Sequence, residues 1–253
     1  MRYSQARRCP ADDRRMRLPA LRFQNVSKRY AGQSVLEGID LTLEDGECMA
    51  LVGVNGCGKT SLIKCLLDLC AIDGGQIAIF GQDHRHSAAR APLAYLPERF
   101  VPPYYLDGQG FLKYMLELQG IAYDREAVTQ LLLELELGQE ALSKPVRDYS
   151  KGMTQKLGLA ACLLANKRAY VLDEPMSGLD PKARALLKLQ LQQCRSRGSS
   201  LFFATHALAD LDALSDRLAI LHEGSLRFVG TPAQLCTQTG EASLEQAFLR
   251  CIG

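Results

Sequence analysis

No stretch of this sequence approaches the roughly 20 consecutive apolar residues that a helix needs to cross a bilayer. The longest candidate, Leu157 to Ala165, is about half that length. No apolar segment follows the N-terminal arginines, so a secretory signal is not visible. If the protein serves a membrane process, another chain is expected to supply the membrane part. An excess of one charge is also missing. The 30 basic residues face 28 acidic ones, which argues against a dedicated nucleic-acid surface, and no nucleic-acid partner is expected. The nine cysteines (9, 48, 57, 65, 70, 162, 194, 236 and 251) are odd in number and contain no C-x-x-C pair. Several lie in apolar runs, where a thiol acts as a small hydrophobe, so a reduced protein is expected rather than a disulfide scaffold or zinc ribbon. Internal repeats, low-complexity tracts and sustained heptads are lacking too. What remains is a chain of 253 residues, 47% of them hydrophobic. That is enough for one large α/β domain, or two small ones, around a sizeable core.

The most informative stretch is Gly53-Val54-Asn55-Gly56-Cys57-Gly58-Lys59-Thr60-Ser61, which fits G-x-x-x-x-G-K-[ST]. Cys48 to Val52 before it reads as a buried strand, and Ser61 to Leu67 after it places apolar residues at helical spacing. Strand, glycine loop and helix come in the order that phosphate binding needs. Glycines let backbone N–H groups curl around a polyphosphate, the helix N-terminus adds positive potential, and Lys59 adds a full charge. Thr60 offers a hydroxyl to Mg²⁺. The loop predicts a nucleoside triphosphate site. Cys57, beside Lys59 and a helix N-terminus, is a candidate for a depressed pKa.

Residues 1–19 carry six arginines and two prolines and are expected to form a disordered basic leader. Leu21 to Val26 and Val35 to Leu43 read as strands, and Asp45-Gly46 turns into the strand before the phosphate loop. An antiparallel sheet is therefore expected ahead of the nucleotide core. Gln76 to Phe80 and Leu93 to Leu96 are further strands. His84 and His86 fall on a polar segment and read as solvated, not as a metal site. From Leu106 to Leu142 apolar residues recur at helical spacing, with Gly120 between two runs, which predicts a helical insertion. A helix opens near Ser150, Ala169 to Leu172 form a strand, and Pro181 starts another helix. Ser200 to Thr205 form a buried strand, Leu218 to Leu221 and Leu226 to Val229 a closing hairpin, and Leu235 and Leu244 mark short C-terminal helices.

Asp173 and Glu174 end an apolar strand, where side chains meet ligands at the carboxyl edge of a sheet. Asp173 suits a metal's water shell, and Glu174 suits polarising an attacking water. Across roughly Leu21 to Val229 the chain resembles the nucleotide-binding subunit of an ATP-binding-cassette (ABC) transporter. Tyr30 matches the aromatic that stacks on adenine, and Gly53 to Thr60 the Walker A loop. Glu98 falls at the Q-loop, Ser150-Lys151-Gly152-Met153 at the signature, and Tyr170 to Glu174 at Walker B. Ser177 to Asp180 match the D-loop, and His206 matches the switch histidine.

The resemblance implies an α/β P-loop NTPase of the ABC type, with a mixed core sheet, an antiparallel β subdomain and an α-helical insertion. Residues 20–253 would form one such domain, with the helical subdomain at about 100–165. It implies ATP and Mg²⁺ as ligands, Glu174 and His206 as catalytic residues, and Thr60, Glu98 and Asp173 at the metal. It places Tyr30, Gly53, Asn55, Gly56, Cys57, Gly58, Lys59, Thr60, Ser61, Ser150, Gly152 and Asp180 around the nucleotide. Two copies would pair head to tail, each completing the other's site with Ser150 and Gly152. A separate transmembrane permease would hold the pair peripherally at the cytoplasmic face of the membrane. Two departures matter. The signature reads Tyr-Ser-Lys-Gly-Met rather than Leu-Ser-Gly-Gly-Gln, and Glu98 replaces the usual Gln. Both variants, with the tail Ser243 to Phe248, resemble the exporter branch that uses an ABC-2-type permease. A soluble ABC ATPase of translation or DNA maintenance is the alternative.

Overall fold

The computed structural model describes residues 18–211 and 214–253. The basic leader expected over residues 1–19 therefore lies, except for Leu18 and Pro19, outside the described residues. Two sheets organise the rest. The first is antiparallel, in the order β2-β1-β4-β5, from β1 (Leu21–Tyr30), β2 (Gln33–Leu43), β4 (Gly74–Ile79) and β5 (Gln82–Asp83). The second runs β10-β9-β3-β8-β7-β6, from β3 (Cys48–Val52), β6 (Leu93–Leu96), β7 (Ala169–Asp173), β8 (Ser200–Thr205), β9 (Arg217–His222) and β10 (Ser225–Gly230). Its strands are parallel except for the β9–β10 hairpin.

Strands β3, β7 and β8 of the six-stranded sheet are buried on both faces, which is why they read as continuous apolar runs rather than alternating ones. Ala50, Leu172, Phe203 and Ile220 face a cluster shared with α3 (Gly108–Glu117), α4 (Arg125–Glu134), α5 (Lys151–Leu164) and α6 (Pro181–Ser196). Leu51, Val171, Phe202 and Ala219 face the opposite cluster, shared with α1 (Lys59–Leu66) and the antiparallel sheet. The chain leaves β6 through α3 and α4 before α5 returns it to β7, so helices fill the stretch where apolar periodicity predicts them. Asp107, Asp124, Ser150 and Asp180 cap α3, α4, α5 and α6, each accepting backbone N–H groups of its first turn. Past β10, α7 (Pro232–Thr239) and α8 (Leu244–Ile252) pack on each other and on that strand.

One expectation fails in this region. His84 is not solvated. The β4–β5 hairpin folds it under, leaving it 2% exposed, with Nδ1 3.1 Å from the Ile77 carbonyl oxygen. His86 stays on the surface, at the start of α2 (Ser87–Arg90), a short helix for which the sequence carries no clear periodicity.

Candidate nucleotide site

The site grows from the carboxyl ends of β3, β7 and β8. Strand β3 delivers Gly53 directly onto the backbone of β9. A Cβ at Gly53 would stand 2.3 Å from the Leu221 carbonyl oxygen and 2.5 Å from Cys57 Sγ, so no other residue fits there without moving the loop. Gly58, at φ +114°, makes the turn into α1, and Leu62 N–H donates to its carbonyl at 2.9 Å. Cys57 closes the loop. Its carbonyl accepts from Gly224 N–H at 3.3 Å, and its side chain is buried. Burial pushes the Cys57 thiol above its ordinary pKa, and Lys59 offsets only part of that. The depressed pKa expected from its place in the loop is therefore corrected: losing water outweighs the nearby cation.

Lys59 is 6% exposed. Its ammonium donates to the carbonyls of Gly53 at 2.7 Å and Val54 at 3.2 Å, and lies 3.8 Å from Glu174 Oε1. Thr60 Oγ1 donates to Asp173 Oδ2 at 2.8 Å. Asp173 is 1% exposed, and its other oxygen, Oδ1, is buried with no hydrogen-bond partner. Burial holds the Asp173 carboxyl above the usual carboxylate range, with Glu98 and Glu174 adding to the effect and Thr60 opposing it.

Glu174 follows in a left-handed conformation, φ +49°, anchored by its N–H to the Ala204 carbonyl at 3.0 Å. A non-glycine residue there costs on the order of 1–3 kcal/mol, which the surrounding structure must offset. Its Oε1 lies 2.8 Å from Nδ1 of His206, which sits just beyond β8. The carboxylate accepts there from the Nδ1–H tautomer. The side chains thus converge on one cavity of about 390 Å³, lined by Asn55, Gly56, Gly58, Lys59, Thr60, Ser61, Glu98, Asp173 and Glu174. A larger groove of about 730 Å³ lies over the antiparallel sheet, beside Arg22, Gln24 and Asp83, and no phosphate-loop residue lines it.

The remaining predicted residues stand apart from that cavity. Tyr30 ends β1 with its ring 43% exposed and its hydroxyl donating to Cys70 Sγ at 3.4 Å. Ser150 caps α5, accepting from Met153 N–H at 3.2 Å, and Gly152 rests against the Gly178 carbonyl. Asp180 caps α6, and the Ala183 N–H it accepts at 2.9 Å holds its carboxyl low. Sequence reasoning missed Gln155, whose buried amide donates to the Pro175 carbonyl at 3.1 Å and ties α5 to the loop behind Glu174. It also missed Lys28 and Asp73 beside Tyr30. No local pattern marks Gln155 or the Lys28–Asp73 pair, because Pro175 lies 20 positions from Gln155 and Asp73 lies in a distant turn.

Residues 36–177 match a family profile described as ABC transporter. The chain belongs to the ABC transporter ATP-binding family. It is 36% identical over 203 residues to an uncharacterised ABC transporter ATP-binding protein of Nostoc sp., an alignment covering 79% of this chain and 61% of that one. It is 32% identical over 223 residues to the Nod factor export ATP-binding protein I of Burkholderia orbicola, covering 87% and 73%. A solved structure titled as the ATP binding subunit of an ABC transporter superposes with a TM-score of 0.84 at 30% identity, covering 92% of this chain and 99% of that one. The chain thus spans about three fifths of the Nostoc relative. Membership in the ABC family implies nucleotide binding.

Proposed function

We propose that this ABC chain binds and hydrolyses ATP as the motor subunit of a membrane exporter. One observation carries the reading. The phosphate-loop lysine, the Thr60–Asp173 pair and Glu174 open onto a single cavity, and His206 holds Glu174 at 2.8 Å. Lys59 neutralises polyphosphate charge, and exchanging its present carbonyl partners for phosphate oxygens keeps its donors satisfied. The residues fit a magnesium ion, since an orphaned buried carboxylate oxygen on Asp173 and the Thr60 hydroxyl are the hard oxygen donors it prefers. Glu98 lines the same wall. Such an ion would supply charge neutralisation for the phosphates. Glu174 is the general base for the attacking water, and His206 holds that carboxylate in place and senses the γ-phosphate.

Ser150 and Gly152 lie outside this cavity, at the N-terminus of α5. Backbone N–H groups there form an anion site suited to a nucleotide held by a second copy. Head-to-tail pairing of two chains therefore completes each site. In this reading a separate permease carries the cargo; among the described residues no helix is long and apolar enough to cross a membrane. The exposed side chains of Val101, Tyr104 and Tyr105 are the contact surface for that permease. The export direction follows the Nod factor export relative, and relatives named for transport favour this reading over a soluble ABC ATPase. Glu174→Gln, assayed in the permease-bound complex, is expected to keep ATP binding and lose on the order of 10²–10⁴-fold in turnover. Near-normal turnover would remove Glu174 from its role.

A further inference from the structure

The aromatic at the end of β1 is held at its ring by Lys28 and at its hydroxyl by Cys70, two residues that no motif contains. Lys28 Nζ lies over the Tyr30 ring, 5.0 Å from its centroid. That ammonium is itself fixed, 3.3 Å from Asp73 Oδ2, with its side chain only 11% exposed. Asp73 clamps the strand that carries both residues. Its Oδ2 accepts from Arg29 N–H at 2.6 Å, and its own N–H donates to the Ser27 carbonyl at 2.9 Å. The Arg29 N–H and the Lys28 ammonium hold the Asp73 carboxyl below the usual range, so it stays charged. The second contact on Tyr30 is its hydroxyl, which donates to Cys70 Sγ. Cys70 belongs to the turn that ends α1, with its N–H on the Lys64 carbonyl at 3.4 Å, and the same hydroxyl interacts with Ser61 in the first turn of α1. The phenol thus ties the end of β1 to the helix that opens at the phosphate loop.

We propose that Lys28, held by Asp73, is a positioning residue for the nucleotide base, fixing the Tyr30 ring from one face and leaving the other for adenine. The proposal rests on the reading of Tyr30 as the adenine shelf. A tyrosine at a strand end has two free side-chain torsions, and stacking a base on it costs the entropy of freezing them. A ring already pinned by a cation on one face and a thiol at its hydroxyl has lost that freedom before the nucleotide arrives. An exposed cation–π contact is worth enough to change an equilibrium about two- to fivefold. Stacking reads no base edge, so the gain applies to any purine.

The test compares ATP with inorganic tripolyphosphate, which engages the phosphate loop but has no base. Dissociation constants are measured on the full chain for wild type, Lys28→Met, Asp73→Asn and Tyr30→Ala, and for Lys28→Met in the Tyr30→Ala background. Lys28→Met and Asp73→Asn are each expected to weaken ATP about two- to fivefold and leave tripolyphosphate unchanged. Lys28→Arg, which keeps the cation, is expected to restore ATP binding. In the Tyr30→Ala background Lys28→Met is expected to have no further effect. Equal weakening of both ligands, or a lysine effect that persists without Tyr30, overturns the positioning role while leaving the shelf intact. A neutral Tyr30→Ala overturns the shelf itself, and the proposal with it.

Discussion

At the scale of single residues, the site is held in a costly state. Asp173 is buried, has an oxygen with no partner, and its carboxyl is shifted upward. The sign of the consequence follows from proton linkage. Between the ordinary carboxylate pKa and the raised folded-state value, the native chain binds more protons than the unfolded chain, so stability falls as pH rises through that window. Above the window the cost is fully present. Asp173→Asn removes the charge and keeps an acceptor for the Thr60 hydroxyl. Without nucleotide, Asp173→Asn is therefore expected to melt higher than wild type at neutral pH, by about 2–4 °C for each kcal/mol relieved. The gap should close as pH falls toward the ordinary carboxylate range. Differential scanning calorimetry across pH checks it, and a lower melting temperature for Asp173→Asn at pH 7 would sink the argument. Glu174 belongs to the same class, because its left-handed backbone stores strain beside the reacting groups.

Elements explain why some of this was legible in the sequence and some was not. The phosphate loop, the apolar strand before Asp173 and the closing hairpin are written in contiguous residues, because their geometry is set by short-range backbone demands. What joins them is not. Leu221 bounds the loop from 168 residues beyond Gly53, so the need for glycine at that position comes from β9, not from the nucleotide. The burial of His84 likewise comes from a hairpin whose second strand has only two residues, too short to announce itself by alternation. Cys57 followed its solvation and not its neighbour in sequence. The Gly53 contact makes a prediction at this scale. Gly53→Ala forces a methyl group between the Leu221 carbonyl and Cys57 Sγ, an overpacking worth about 1–3 kcal/mol. Affinity for both ATP and tripolyphosphate is expected to fall in titration calorimetry, because the fault lies in the loop and not in the base shelf. Retained affinity for both would mean that the loop can slide off β9.

The whole molecule separates two halves of one chemistry. Lys59, Asp173, Glu174 and His206 meet at the carboxyl edge of the six-stranded sheet. Ser150 and Gly152 lie at the start of α5, where Lys151 reaches Ser177 Oγ at 3.5 Å and Gly152 abuts the Gly178 carbonyl. The signature is thus braced against its own D-loop, and through the Gln155 bond to Pro175 against the loop behind its own Glu174. In the proposed pairing its N–H groups would serve a nucleotide held by the second copy. In the head-to-tail pairing proposed above, closing two copies around ATP would bring each signature to the other's phosphates. A single chain should then bind ATP and hydrolyse it slowly. In the Glu174→Gln chain, which retains its nucleotide, ATP is expected to convert monomers to dimers in sedimentation velocity, with ADP leaving them apart. Adding Ser150→Ala removes the hydroxyl that caps α5, at a folding cost of about 1 kcal/mol, and should weaken the dimer more than it weakens ATP binding by the monomer. Dimers that form equally well with ADP, or that ignore Ser150, would place the pairing surface elsewhere on the chain.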